Sequence, residues 1–421
     1  MQRIGSAHVW LSTWYNESGR MNISRMRHID CIMGGMICLM LDLIERLRRM
    51  LPRTRQRPEP RTVVVTKYLG MGSILLATPA VMAIKKRYPS CRIILLTFSG
   101  NVLFAQRLGL FDDVLAIRTS SLALFALDTV RNLAVIRRMR SDYLLDLEFF
   151  ARFSTIVAYL SGTACRIGYY MPQIWRGHLL DIPVHFNPYR HVCEIFAAQV
   201  EAMGVPVDDF TIATPNVEPV ALERVNAILE QAGIEKGIAL VAVNVNASEL
   251  SLERRWPKEN FVGLMDALAR HSGIRMVLIG APDEREYVET VYSVLSPVAR
   301  SSCLNLAGKQ TLDELIALLS RCDACISNDS GPLHIAAALG IRTISFFGPE
   351  SPLLYGPRGK GHTVFYAGIY CSPCLNVYNA KQAMCSGNNV CMRSITPEQV
   401  IDVLLQPAEP CESSASGNFS V

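Results

Sequence analysis

Ser327-Asn328-Asp329-Ser330-Gly331-Pro332-Leu333-His334-Ile335-Ala336-Ala337-Ala338-Leu339-Gly340 is the stretch that decides how this chain is read. The apolar residues 324–327 lead into it and read as a buried strand. A run of small residues follows and reads as a helix, with Gly340 at its end. Asp329 or Ser330 is placed to cap that helix, and Pro332 suits its first turn. Such a turn offers free backbone N–H groups and the positive end of the helix dipole, a setting for an anion. Ser330 and His334 are four apart, so they share one face over the turn. A nucleotide diphosphate fits a site with a hydroxyl, a carboxylate and an imidazole at its mouth. Taken alone, the segment reads equally as a capped helix of any α/β protein.

Its surroundings favour the ligand. Thr343-Ile344-Ser345-Phe346-Phe347 reads as the next strand and runs into Gly348-Pro349-Glu350-Ser351-Pro352. A loop there lies at the carboxyl end of a parallel strand, where α/β proteins bind ligands. Asp-Ser-Gly-Pro-Leu-His, followed by Ala-Ala-Ala-Leu-Gly and Phe-Phe-Gly-Pro, resembles the signature of glycosyltransferase family 9, the lipopolysaccharide heptosyltransferases. A second patch agrees. Val63-Val64-Val65-Thr66-Lys67-Tyr68-Leu69-Gly70-Met71-Gly72-Ser73, with Ala77-Thr78-Pro79-Ala80 and Tyr88-Pro89, is similar to the family's opening strand, glycine loop and first helix. The resemblance covers about residues 61 to 405.

The chain has 421 residues, half of them apolar, enough for two or three domains with sizeable cores. Its net charge of +5 is uneven: residues 1–61 hold eleven arginines against five acidic residues, leaving the remainder at −1. The globular part is therefore not a nucleic-acid binder by charge. Residues 36–51 place Met36, Met40, Leu43, Ile44, Leu47, Met50 and Leu51 on one helical stripe, with Asp42, Glu45, Arg46, Arg48 and Arg49 opposite. Arg53, Arg55 and Arg57 follow. That pattern suits an interfacial helix at an anionic membrane surface. The other reading is a poorly ordered extension from an upstream start codon. Residues 32–44 are too short and too interrupted by Asp42 for a transmembrane helix.

Thirteen cysteines include nine that are scattered, mostly among apolar residues, as suits reduced core thiols of a cytosolic protein. Cys371, Cys374, Cys385 and Cys391 differ: their spacing is compatible with a structural zinc as well as with a thiol-pinned loop.

Strand and helix patterns alternate, which implies parallel sheets. Helices are expected over residues 74–87, 131–139, 153–160, 191–203, 220–232, 261–270, 284–295, 312–321 and 396–405. Residues 167–188 read as irregular loop. The expected organisation is a basic amphipathic or disordered extension at 1–60, an acceptor-side Rossmann-like domain at 61–205, a linker at 206–219, a nucleotide-sugar domain at 220–406 and a disordered tail at 407–421. The fold class is α/β, and the resemblance implies two Rossmann-like domains facing across a cleft, the GT-B glycosyltransferase architecture.

The resemblance further implies transfer of a heptose-like sugar from an ADP-heptose-like donor to a lipid-linked glycan acceptor. Transfer inverts the anomeric centre and requires no metal or other cofactor. The location the resemblance implies is the cytoplasm or the inner face of the cytoplasmic membrane. Asp329, Ser330, Gly331 and His334 match the donor motif. Asn246 lies in the loop after the first strand of the second half, and Arg254 stands where the family has a lysine, keeping charge but changing geometry. Glu284 lies in the loop expected at the nucleoside. Lys67 and Gly72 belong to the acceptor-side loop. One departure stands out: the family's Gly-Asp, whose Asp is the catalytic base, is Gly72-Ser73 here. A serine needs help to take a proton at neutral pH. Asp146 or Glu148, after the strand at 143–147, could replace the base; a phosphate could serve; or the protein binds a nucleotide sugar without transferring it. Ser73 could also simply cap its helix.

Overall fold

The computed structural model describes residues 26, 28–50, 59–235, 237–247, 251–379, 381, 383, 385 and 388–406. The expected tail at 407–421 and the basic run Arg53–Arg57 lie outside the described residues. Two compact units meet between Phe210 and Thr211.

The first unit is a six-stranded sheet in the order β3-β2-β1-β4-β5-β6. The strands are β1 (Thr62–Thr66), β2 (Arg92–Phe98), β3 (Asp113–Ile117), β4 (Tyr143–Asp146), β5 (Cys165–Tyr170) and β6 (Ile182–His185). All pairs are parallel. Continuous apolar runs such as Val63–Val64–Val65 and Ile93–Ile94–Leu95–Leu96 are buried throughout, as strands covered on both faces require.

The second unit repeats this design. Its strands are β7 (Ala239–Asn244), β8 (Ile274–Leu278), β9 (Cys303–Asn305), β10 (Ala324–Asn328), β11 (Arg342–Phe347) and β12 (His362–Tyr366). The order β12-β11-β10-β7-β8-β9 is the first unit's order read in reverse. Both units are Rossmann-like, and each has a switch point beside its first strand: β1/β4 and β7/β10.

Three local expectations need correction. The helix expected at 74–87 is two helices, Met71–Leu76 and Thr78–Arg87. Pro79 has no N–H for the Leu75 carbonyl, and the Thr78 hydroxyl donates to that carbonyl instead, at 2.7 Å. The helix expected at 131–139 begins at Leu122, because Ser121 caps it by accepting from Leu124 N at 3.2 Å. Residues 167–188 are not all loop: they contain most of β5 and all of β6. Pro183 and the alternating half-burial of β6 hid an edge strand from a periodicity reading. The capping box Thr311–Glu314 forms as expected, with Glu314 N donating to Thr311 Oγ1 at 3.2 Å and Thr311 N to Glu314 Oε2 at 2.8 Å.

Candidate functional site

Unit 2 carries its polar groups at the carboxyl ends of β7 and β10. Trp256 anchors the loop after β7. It is fully buried, stacks on Phe346 with centroids 4.3 Å apart, and donates its indole N–H to Ile395 O at 2.9 Å. Its backbone N–H donates to Asn328 Oδ1 at 2.8 Å, and Asn328 Nδ2 donates to the carbonyls of Val245 and Asn246 at 3.1 and 3.0 Å. Asn328 thus locks the β7 loop against the end of β10.

This lock positions Arg254. Its Nη1 donates to Asp329 Oδ2 at 2.9 Å, with little of either side chain exposed. Asp329 and Ser330 do not cap the helix Gly331–Ala338 as expected. The Asp329 carboxylate pairs with Arg254, while Ser330 Oγ receives Asn244 Nδ2 at 2.8 Å and lies 3.0 Å from Ser327 Oγ. The two nearest side chains have stronger local partners, so Ser330 makes no side-chain cap on that first turn.

His334 sits on the first turn, its Nε2 3.9 Å from Asp329 Oδ1. Burial lowers its pKa below the usual histidine value, against the pull of Asp329, so the ring is neutral near pH 7. Its Nδ1 is buried without a hydrogen-bond partner, and so is Asn246 Nδ2. Buried polar atoms left unpaired are costly, which makes both candidates for ligand contact; Arg255 Nε, in the same segment as Arg254, is unpaired too. Asn246 Oδ1 receives Arg255 Nη2 at 3.3 Å. Glu284 Oε2 accepts Ala281 N at 2.8 Å, so this carboxylate holds its own loop.

Asn244, Asn328, Glu350 and Lys381 complete the surroundings, and sequence reasoning did not single them out as site residues. Glu350 is buried and ion-paired with Lys381. Burial raises its pKa, Lys381 opposes that, and the Asp329 charge raises it further. Asn328 and Glu350 fall inside the quoted stretches, and Asn244 ends the strand before Asn246, so their positions at strand ends were the signal. Lys381, thirty-one residues from Glu350, gave none.

In unit 1 the equivalent place holds an internal ion pair. Lys67 Nζ donates to Glu148 Oε1 at 2.8 Å, both side chains nearly unexposed. The same oxygen accepts Tyr68 N at 2.7 Å and Leu69 N at 3.0 Å. Oε2 of Glu148 receives no hydrogen bond among the described residues. Asp146 is fully buried and accepts from Thr66 Oγ1 (3.2 Å), Ser154 Oγ (2.9 Å), Thr155 Oγ1 (2.8 Å) and Glu148 N (3.2 Å). Burial raises its pKa, with Arg176 at 3.9 Å and the two hydroxyls opposing. Gly70 adopts φ +83°, the left-handed turn that starts the helix Met71–Leu76. Gly72 is buried in that helix, and Ser73, half-buried beside it, is not the N-cap; Gly70 is.

The four C-terminal cysteines form no disulfide among the described residues. Cys374 N donates to Pro349 O at 2.9 Å, so their segment packs on the loop that carries Glu350. Burial pushes the Cys391 thiol up to about 11, with the other three thiols adding to it. Among the described residues, no group of three or more His, Cys, Asp or Glu is placed to hold a metal ion.

The sequence pattern described as Glycosyltransferase family 9 (heptosyltransferase) matches residues 154–384, more than half of the chain. Lipooligosaccharide heptosyltransferase 2 of Haemophilus influenzae is 28% identical over 199 residues, covering 45% of this chain and 57% of that protein. Lipopolysaccharide heptosyltransferase 2 of Escherichia coli K12 is 33% identical over 105 residues, 25% of this chain and 30% of that protein. The chain thus spans little more than half, or less, of the length of these two relatives. Lipopolysaccharide heptosyltransferase 3 of Escherichia coli is 26% identical over 310 residues, 71% of this chain and 87% of that protein. Among solved structures, E. coli ADP-heptose lipopolysaccharide heptosyltransferase II superposes with a TM-score of 0.64 at 20% identity, covering 82% of this chain and 97% of that one. A family 9 glycosyltransferase from Veillonella parvula gives 0.66 at 21%, covering 83% and 97%. E. coli heptosyltransferase WaaC with ADP gives 0.59 at 19%, covering 82% and 98%. These likenesses establish the two-Rossmann GT-B type of fold, and with the sequence match they make this chain a member of glycosyltransferase family 9.

Proposed function

We propose that this protein transfers a heptose-like sugar from a nucleotide-diphosphate donor to a lipopolysaccharide or other cell-envelope glycan acceptor. The donor is ADP-heptose-like, the anomeric centre inverts, and no metal is required. The division of labour follows the expected domains: residues 61–205 handle the acceptor, 206–219 link, and 220–406 bind the donor. The work is done on the cytoplasmic side, where nucleotide sugars are made, with the lipid-linked acceptor held at the inner face of the membrane.

One observation carries the reading: unpaired Asn246 Nδ2 lies in the strand-end segment that also holds Arg254, and unpaired His334 Nδ1 lies on the helix Gly331–Ala338, next to the Asp329 that Arg254 pairs with. A diphosphate satisfies all three. Backbone N–H groups at the start of that helix meet phosphate oxygens, with Gly331 allowing close approach. Arg254 turns from Asp329 to the diphosphate, and Asp329 is freed to hold a sugar hydroxyl. Charge on the leaving diphosphate is then stabilised by fixed donors. Ser330 keeps Asn244 and the strand ends aligned, and Glu284 holds the loop that meets the nucleoside.

In the transfer, the acceptor oxygen bonds to the anomeric carbon as the bond from that carbon to the diphosphate breaks. The acceptor proton goes to a carboxylate of unit 1. Glu148 is the residue we assign, through Oε2, with Lys67 and the loop amides fixing it by Oε1. Asp146 orients the Glu148 backbone and Gly72 and Ser73 shape the acceptor loop.

A second reading is a nucleotide-sugar-binding or assembly protein without transfer. It is favoured by Ser73 standing where the family has its base and by the burial of Glu148 against Lys67. Purified protein incubated with a panel of radiolabelled nucleotide sugars separates the two. Donor-dependent product that disappears in Glu148→Gln supports transfer. Tight nucleotide binding with neither hydrolysis nor transfer selects the second reading.

A further inference from the structure

The helix Gly35–Arg49 is built inside out. Its acidic groups are buried: Asp42 is 3% exposed and Glu45 0%. Asp42 Oδ1 accepts His178 N at 2.6 Å and lies 2.9 Å from His178 Nδ1, while Arg46 Nε donates to Oδ2 at 2.9 Å. Glu45 accepts the Tyr159 hydroxyl at 3.1 Å and Arg49 Nε at 3.1 Å, and stands 3.8 Å from Arg166 Nη2. Just before the helix, Asp30 accepts the backbone N–H groups of Arg152 and Phe153 at 2.8 and 2.7 Å, capping the helix Arg152–Leu160. Gly177 turns at φ +66°, and a Cβ there would lie 2.8 Å from Asp42 Cβ, so the backbone closes tightly on the helix.

The apolar groups face the other way. Met36, Leu39, Met40, Leu43, Leu47 and Met50 are each 57–79% exposed. At 100° per residue they form one stripe, about 20 Å long. A helix facing water shows the reverse pattern. Rolling the helix to hide the stripe would break the Asp42 and Glu45 pairs, so its orientation is fixed by its polar side.

What covers the stripe is indicated by charge. Arg46 and Arg48 are exposed at the end of the helix, and the sequence adds Arg53, Arg55 and Arg57. Residues 1–61 carry +6 while the rest of the chain sums to −1. Apolar side chains beside a basic cluster match an anionic lipid surface. A second copy of the chain would bring the same positive charge. Among the described residues no helix is long and apolar enough to cross a membrane.

We propose that the helix Gly35–Arg49 docks the protein on an anionic membrane surface, with its Met36-to-Met50 stripe inserted below the headgroups. The docking element deepens the proposed transferase function and rests on it only for its purpose. The loop that receives Asp42 also contains Arg176, whose Nη1 donates to Glu148 O at 3.2 Å. The docked face is therefore joined directly to the segment assigned to a lipid-linked acceptor.

The test is co-sedimentation of the full chain with phosphatidylcholine vesicles, with and without about one third phosphatidylglycerol. The expected result is binding to the anionic vesicles, weakened by salt. In the triple variant Met40→Asp/Leu43→Asp/Leu47→Asp, binding drops about tenfold or more. These positions are exposed, so the variant's melting temperature and ADP affinity should match the parent's, which separates lost docking from lost folding. Equal sedimentation of parent and variant overturns the proposal. So does absence of vesicle binding together with a parent dimer that the variant converts to monomer, which would make the stripe a self-association face. Vesicle binding without any sugar transfer leaves the docking assignment standing and removes the enzyme reading; transfer to a delipidated acceptor by protein that ignores vesicles does the reverse.

Discussion

The switch points of the two units share a strand order and differ in how they treat polar groups. At β1/β4 the carboxylates are paired within the unit, while Tyr68 Oη, Arg176 Nε and Nη2 and Gln199 Oε1 are buried without a partner. Lys67 is locked on Glu148, and Asp146 is ringed by hydroxyls and by the Glu148 amide. At β7/β10 His334 Nδ1, Asn246 Nδ2 and Arg255 Nε have no partner, and Arg254 is held by one carboxylate at the mouth of a helix that Ser330 does not cap. The first arrangement encloses two buried carboxylates among donors of its own unit. The second sets a guanidinium beside the start of a helix, the setting an anion site requires. The same topology therefore carries two different charge arrangements, and the difference lies in a few side chains at the strand ends.

The sharpest way to break this comparison is Glu148→Gln. General-base loss predicts a fall in turnover of roughly 10²- to 10⁴-fold, with ADP affinity unchanged, measured by product formation and calorimetry. Undiminished turnover would return Glu148 to a purely structural role. Next in size is Trp256→Ala. Removing a fully buried, stacked indole should destabilise unit 2 by about 3–5 kcal/mol. Scanning calorimetry should show an earlier unfolding transition for unit 2 and an unchanged one for unit 1. Arg254→Ala should weaken ADP binding by roughly 10- to 100-fold, from loss of charge-assisted hydrogen bonds. Arg254→Lys should lose less, since the charge remains and only the fork is lost. If both variants bind ADP like the parent, the anion is held elsewhere in unit 2.

The smallest effect is in pH. Burial depresses the His334 pKa, with Asp329 opposing and Arg254 adding to the depression. A depressed histidine takes its proton more readily when unfolded. Its contribution is therefore present above the unfolded value of about 6.5 and is lost as pH falls below it, by at most about 1.4 kcal/mol per pH unit for one proton. His362 is depressed by burial too and acts in the same direction. The readout is therefore the difference between parent and His334→Gln: denaturant midpoints between pH 7.5 and 5.5, as order-of-magnitude settings, should fall more steeply in the parent. Parallel slopes would mean that His334 titrates normally.

Much of this was legible in the chain. Apolar runs of five or six residues between helical periods disclosed parallel strands, and the 327–340 stretch located the switch point of unit 2. The charged and apolar faces of residues 36–51 were visible as a stripe. Side-chain competition was not visible. Asp329 and Ser330 are good helix caps by type, yet Arg254 and Asn244 take them first. Ser121 made a cap that extended a helix by nine residues, and the edge strand β6 carried too little apolar signal to be seen.

Sequence by itself determined the alternation of strand and helix, the family and the places where ligand-facing loops begin, because these depend on local periodicity and short spacings. Only the tertiary structure decided which polar atoms are spent inside the fold and which are left over. It also turned the helix Gly35–Arg49 with its carboxylates inward and its methionines and leucines outward. Partners such as Asp42 and His178, or Glu350 and Lys381, are far apart in the chain, and burial makes their pairing mandatory once the sheets bring them together.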